Sequence, residues 1–242
     1  MPVSDHIINS IHPSWREIVL KSFDALDREY LRYLLTSDDF FPDRDNFLNA
    51  FKTLSLEDTR YILFGQDPYP RYESAIGYAF IDGRVKDIFA NTGLSKEINR
   101  ATSLRNFIKM LLLNENSSLR SDLSQEAISK IDKKSLCKDM DCLRKNFEKN
   151  GILLLNMALI FSSKKDSSYH IKKWKKFFEC FLSEISDKKI ELILFGKIAQ
   201  KAENFKSSNR FKKWIFPHPY NLSFIEDREV QEFFKPLNLL KV

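Results

Sequence analysis

Tyr61-Ile62-Leu63-Phe64 is a short apolar run, and Gly65-Gln66-Asp67-Pro68-Tyr69-Pro70 follows it without a break. An apolar run of this length bounded by turn formers reads as a buried strand. The two prolines each fix φ and remove a backbone donor, so the turn after the strand is rigid and presents Asp67 between Gln66 and Tyr69. Three further runs have the same character: Ile152–Leu155, Glu191–Phe195 and Trp214–Phe216. Long stretches with helical spacing separate them. That alternation predicts an α/β fold with a central four-stranded, mostly parallel sheet flanked by helices.

In open sheets of this kind, ligands bind beyond the carboxyl ends of the strands. The first strand runs into Gln66-Asp67-Pro68-Tyr69, the second ends at Asn156 and the fourth at Pro217-His218, whereas Phe195-Gly196-Lys197 reads as a plain helix start. Taken singly, each residue has an ordinary reading: Asp67 as a turn former, Asn156 as a cap, His218 as a loop histidine. Taken together they put an acid, an amide and an imidazole at corresponding strand ends, the expectation for a site. Among the helices the strongest pattern is Ile171–Ile185, with Trp174, Phe177, Phe178 and Phe181 on one face and Lys172, Lys173, Lys175 and Lys176 opposite. Trp174 is therefore expected in the core. Helical spacing also marks Asp24–Leu35, the segment around Phe47–Phe51, and Gln125–Ile131.

The chain has 242 residues, 43% hydrophobic and 30% charged, and no linker or repeat divides it. One domain over residues 1–242 is expected, with 114–141 as a polar surface excursion inside it. No run has the length of a membrane span, and Met1–His12 lacks the features of a signal peptide, so a cytoplasmic protein is expected. Cys137, Cys142 and Cys180 are expected as reduced thiols, and with four histidines and no paired cysteine motif no metal is expected. The net charge of +6 favours a polyanionic partner without requiring one, and each lysine doublet by itself reads as a solvated face.

Several chemistries lack their signatures. There is no Gly-x-Ser-x-Gly elbow, and Gly196-Lys197 has neither the upstream glycine nor the following Ser/Thr of a phosphate loop. A metal nuclease needs clustered carboxylates, and ordinary glycoside hydrolysis needs two. One acid and one neutral hydrogen-bond donor would suit a glycosidic bond with a better leaving group, such as a nucleobase anion.

Four ordered motifs carry a resemblance: Gly65-Gln66-Asp67-Pro68-Tyr69, Gly77-Tyr78-Ala79-Phe80, Leu153-Leu154-Leu155-Asn156, and His218-Pro219-x-x-Leu222-Ser223. With them the chain resembles family 1 uracil-DNA glycosylases and their three-layer fold. The likeness extends to Phe41-Pro42, Phe47 and Ala50-Phe51 before the first motif and Ser103-Leu104 after the second, takes in Trp174 and Leu194-Phe195-Gly196 with Ala199-Gln200, and so covers most of the chain. It implies that Asp67 positions the attacking water and stabilises the sugar cation, and that neutral His218 donates to uracil O2 as charge develops there. It implies that Asn156 reads the Watson–Crick edge, Phe80 stacks on the base, the Gln66 main chain closes the pocket and Tyr69 excludes the thymine methyl. Leu222 would fill the gap left by the flipped base, and Ser103 and Ser223 would hold flanking phosphates. The lysines at 164–165 and 212–213 become candidate phosphate contacts. The implied partner is uracil-containing DNA, single- or double-stranded, attacked by a monomer without a cofactor.

The chain departs from the family pattern at Pro70, where histidine is usual, and at Tyr220-Asn221, where Ser-Pro is usual. These departures predict an altered hold on DNA with the chemistry kept. The alternative is a DNA-binding or replication-accessory relative with weak or altered glycosylase activity; the retained Asp67, which a pure binder does not need, argues against it.

Overall fold

Ile62, Leu63 and Phe64 have no exposed surface, so the first apolar run is the buried strand its composition predicts. The computed structural model describes residues 5–203 and 205–242. In chain order its elements are α1 (Asp5–Asn9), α2 (Pro13–Asp24), α3 (Arg28–Thr36), β1 (Tyr61–Gly65), β2 (Phe89–Ala90), β3 (Gly93–Leu94), α4 (Lys96–Arg100) and α5 (Thr102–Glu115). They continue with α6 (Gln125–Lys130), α7 (Met140–Lys149), β4 (Ile152–Asn156), α8 (Ser167–Glu184), β5 (Glu191–Phe195), α9 (Lys197–Glu203), β6 (Lys213–Phe216), α10 (Ser223–Glu226) and α11 (Arg228–Phe234). They form two compact units, one of the residues up to Ile81 with Gly151–Ile215, the other of Asp82–Asn150 with Phe216–Val242.

The first unit contains the four-stranded sheet, in the order β4-β1-β5-β6. β1 runs parallel to both neighbours, with Tyr61 opposite Ile152 and Glu191, and Gly65 opposite Asn156. All four predicted strands are present. The aromatic face of α8 supplies the core: Trp174, Phe177, Phe178 and Phe181 are fully buried, and Phe178 meets Phe64 of β1 edge to face at 5.5 Å. Trp15 of α2 stacks on Phe181 at 5.8 Å from the other side. α8 begins at Ser167, four residues before its apolar periodicity starts at Ile171.

The helix expected over Asp24–Leu35 forms only from Arg28, as α3, and Asp24 belongs to the preceding helix. α2 ends at Asp24, and Asp27 caps α3 by accepting from the Tyr30 N–H at 3.1 Å. An aspartate that satisfies a free amide at a helix start competes with continuation of the preceding helix. Around Phe47–Phe51 only Asn49–Phe51 closes a turn, of 3-10 type.

The second unit is built on α5, whose Leu104, Phe107, Ile108 and Leu111 are buried. Phe107 packs against Phe147 of α7, Phe224 of α10 and Phe234 of α11 at 5.2–6.0 Å. The polar stretch 114–141 is anchored to this unit by Leu119, Ile128, Leu136 and Cys137, all at most 5% exposed. Its predicted helix is α6, whose Gln125 Oε1 accepts from the Leu94 N–H at 2.7 Å. A Cβ on Gly93 would lie 2.5 Å from that same oxygen, so only glycine lets α6 dock on β3.

The expectation of three reduced thiols is corrected: Cys137 and Cys142 form a disulfide, and Cys180 alone is free. The Asp139 side chain accepts from the Cys142 N–H at 2.8 Å and starts α7 there. The turn brings the two Cα atoms to 5.5 Å, within bridging reach although they are only five positions apart. No described helix is long and apolar enough to cross a membrane.

Candidate active site

The register of β1 and β4 decides what stands at the carboxyl end of the sheet. With Gly65 opposite Asn156, the turn Gln66-Asp67-Pro68-Tyr69 begins level with the Asn156 amide. The ladder continues past both strands, with the Met157 N–H bonded to Gly65 O at 3.0 Å and the Ala158 N–H to Gln66 O at 3.2 Å. The Gln66 main chain is therefore tied down. A Cβ on Gly65 would sit 2.2 Å from Asn156 Oδ1, so the glycine makes room for that amide. Asn156 is 6% exposed, and among the described residues its side chain makes no hydrogen bond. A nearly buried amide left unengaged is poised to serve a ligand with one donor and one acceptor.

Phe80 completes this end of the unit. The Ala79 N–H bonds Leu154 O at 3.2 Å, joining its turn to β4, and the Phe80 ring lies 5.9 Å from that of Phe195 at the end of β5. Phe80 itself has φ +68°. For a bulky side chain this conformation costs about 1–3 kcal/mol, and such strain persists where surrounding structure enforces it. Tyr69, half-buried, directs its hydroxyl at Phe80 O at 3.5 Å. Gln66 Oε1 accepts from Lys201 of α9 at 2.7 Å, and burial lowers the pKa of that lysine from its ordinary value. The Asp67 carboxylate accepts through Oδ2 from the hydroxyl of Ser167, the first residue of α8.

In the second unit, His218 follows β6 in a short loop. Its Nδ1 accepts from the Tyr220 N–H at 3.0 Å. In the neutral ring the proton must then lie on Nε2, which becomes a donor. Burial lowers the His218 pKa below 6.5, so this neutral form dominates near pH 7. The loop is pinned by Asn106, a fully buried residue of α5 whose Nδ2 donates to Pro219 O at 2.8 Å and Tyr220 O at 3.3 Å. Tyr220 and Leu222 stand out from it, 66% and 70% exposed. Ser223 opens α10 at the surface, and half-buried Ser103 lies in the first turn of α5.

Gln66, Asp67, Tyr69, Phe80 and Asn156 thus gather at the strand ends of the first unit, while His218, Leu222, Ser223 and Ser103 belong to the second. Sequence reasoning missed Ser167 and Asn106. Of the candidate phosphate lysines, Lys212 is engaged within its own unit, 3.1 Å from Glu191 and 4.2 Å above the Trp214 ring. Among the described residues no group of three or more His, Cys, Asp or Glu side chains could hold a metal.

Comparison with known proteins joins these two sets of residues to one family. Residues 51–240 match the family model of the uracil DNA glycosylase superfamily, and the chain belongs to that superfamily. The wild-type UNG of Nitratifractor salsuginis has a similar crystal structure, with 48% identity and a TM-score of 0.94 over 97% of this chain and 94% of that one. The uracil-DNA glycosylase of Amoebophilus asiaticus is 27% identical over 219 residues, 87% of this chain and 86% of the relative. Mimivirus uracil-DNA glycosylase, at 15% identity and a TM-score of 0.56 over 90% of this chain and 72% of that one, shares the fold.

Proposed function

We propose that the protein removes uracil from DNA by hydrolysing the N-glycosidic bond, leaving an abasic site and an uncut strand. The observation that carries this reading is the strand-end register, which sets an unengaged, nearly buried amide, Asn156, level with the turn that bears Asp67. In this reading Asn156 bonds the Watson–Crick edge of uracil, Phe80 stacks on the ring, and Tyr69 lies against C5, where a thymine methyl would collide. The Asp67 carboxylate orients the water and stabilises positive charge on the sugar as the bond opens. His218, with its proton on Nε2, donates to uracil O2 as the base departs as an anion. Ser103 and Ser223 hold flanking phosphates, and exposed Leu222 enters the space that the flipped nucleotide vacates. The chain is read as one domain over residues 1–242, and the protein acts in the cytoplasm as a monomer.

The test is incubation of the purified protein with a uracil-containing oligonucleotide in EDTA, followed by alkali to cut at abasic sites. Cleavage with release of free uracil is expected, and Asp67→Asn should slow it by about a thousandfold. No cleavage with enzyme in excess, or an undiminished rate for Asp67→Asn, would overturn the reading.

A further inference from the structure

The Asp67 carboxylate stands on a turn that fixes its backbone but leaves its side-chain torsions to be set from elsewhere. Ser167, 100 residues further along the chain, supplies a hydrogen bond to Oδ2. Ser167 is itself held in place. It opens the 18-residue helix α8, and the preceding Asp166 makes no side-chain capping bond. The Asp166 carboxylate instead turns back to accept from the hydroxyls of Ser162 and Ser163, which hold its pKa below the usual carboxylate value. Asp166 O accepts from the His170 N–H at 2.9 Å. The His170 ring, 2% exposed, bonds the Tyr30 hydroxyl at Nδ1 (2.7 Å) and Ser162 Oγ at Nε2 (2.8 Å). A ring engaged at both nitrogens cannot turn, so the first turn of α8 is locked into the core of its unit. The hydroxyl is delivered from a helix N-terminus, where the backbone also favours negative charge.

We propose that Ser167 is a positioning residue for uracil excision, holding the Asp67 carboxylate by Oδ2 so that Oδ1 is left to face the water and the sugar. This rests on Asp67 acting in excision as described above. A carboxylate freed of that bond samples several rotamers, and a misplacement of about 1 Å at a reacting group is enough to cost about a hundredfold in rate. Ser167 touches no reacting atom in this arrangement, so its effect must pass through Asp67.

That requirement sets the experiment. Single-turnover uracil release would be measured for Ser167→Ala, Ser167→Thr, Asp67→Asn and the double variant Ser167→Ala/Asp67→Asn. Affinity would be measured with a duplex carrying 2′-deoxy-2′-fluorouridine, whose bond is slow to break. Ser167→Ala should slow release by about tenfold to a hundredfold, the span of one hydrogen bond to a charged group. Its affinity for the duplex should stay within about twofold, and Ser167→Thr, which keeps the hydroxyl, should recover most of the rate. In the Asp67→Asn background the alanine should add less than about twofold. The proposal is overturned by an unchanged Ser167→Ala rate, by an equal loss in both backgrounds, or by a loss that appears in affinity instead. Should Ser167→Ala lack a cooperative melting transition, Ser167→Cys takes its place with the same expectations, because a thiol is a weak donor of similar shape. An undiminished rate for Asp67→Asn alone is a different result: it removes the proposed function, and the role of Ser167 with it.

Discussion

The turn at Asp67 and the loop at His218 each hold a polar group in one orientation, by different means. Around Asp67 the backbone fixes the turn, and only the torsions of the carboxylate itself are left to a side chain, Ser167. The β1–β4 ladder continues through Gly65, Gln66, Met157 and Ala158, and the strained Phe80 turn is tied to β4 through Ala79. Around His218 side chains do it: Asn106 reaches two carbonyls of the loop, and the imidazole accepts from an N–H two residues on. The first arrangement tolerates almost no change in backbone volume. The second can keep a rigid centre while Tyr220 and Leu222 remain open to solvent. In the proposed reaction this matches a division of labour, with base reading on the sheet, and leaving-group stabilisation and strand contact on the loop.

The comparison breaks most visibly if the sheet end proves forgiving. Gly65→Ala would put a methyl 2.2 Å from Asn156 Oδ1 and 3.0 Å from the Ala79 Cβ, with a strand on either side and no flexible chain end to yield. We expect it to lower single-turnover uracil release by about a hundredfold, because the amide must leave its position. A rate within about threefold of the parent would show that Asn156 does not need its present place. Next in size is Asn106→Ala. It leaves two loop carbonyls without their donor, one on a buried residue, and should cost about 1–3 kcal/mol in urea unfolding and about tenfold in uracil release. Asn106→Asp, which faces the same carbonyls with an acceptor, should do worse. If both variants match the parent, the loop is held by something other than this amide.

The difference between the regions also explains what could be read from sequence. The apolar runs gave β1, β4 and β5, because a strand buried on both faces needs uninterrupted Ile, Leu and Phe, and the shorter run Trp214–Phe216 gave β6, the edge strand whose Ile215 is exposed. Strand ends then marked Asp67, Asn156 and His218, since topology places ligands there. What escaped was the means of support. Ser167 lies before the apolar stripe of α8 begins, and its partner Asp67 is 100 residues away in the chain. Asn106 did leave a signal, a polar residue enclosed by Leu104, Phe107 and Ile108 on an apolar helix face, but its partners lie more than a hundred residues away. The break at Ala25-Leu26-Asp27 turned on one capping bond, and the Cys137–Cys142 pairing on a turn geometry that spacing alone does not specify.

Tyr220→Ser sharpens the loop side of the comparison with a smaller effect. Tyr220 contributes its main-chain N–H to His218 and its carbonyl to Asn106, and neither depends on the ring. The exposed ring should therefore matter for DNA alone. A shift of about threefold in affinity or in single-strand preference is expected, with little change in the rate from bound substrate. An effect confined to uracil-versus-thymine choice would place the ring beside the base.

The smallest effect is in pH. Burial lowers the pKa of His218 from 6.5, and protonation would also set a proton on Nδ1 against the Tyr220 N–H that it now accepts. Burial likewise lowers the pKa of His170, against the opposing pull of Asp166 and Asp67. For both rings the folded value lies below the unfolded one, so the unfolded chain takes up protons first as the solution is acidified. Their contribution to stability is complete above about pH 6.5 and declines as pH falls from there through the folded values. Urea midpoints should accordingly be flat from pH 7.5 to 7.0 and drift down between pH 6.5 and 5.5. The acid limb of uracil release attributable to His218 should have its midpoint below pH 6.5, because the neutral donor persists past the ordinary histidine value. A midpoint above 6.5 would mean that the imidazolium is favoured in the folded loop. The bond from the Tyr220 N–H would then not be what fixes the ring, and Asn106 would be left as the loop's support.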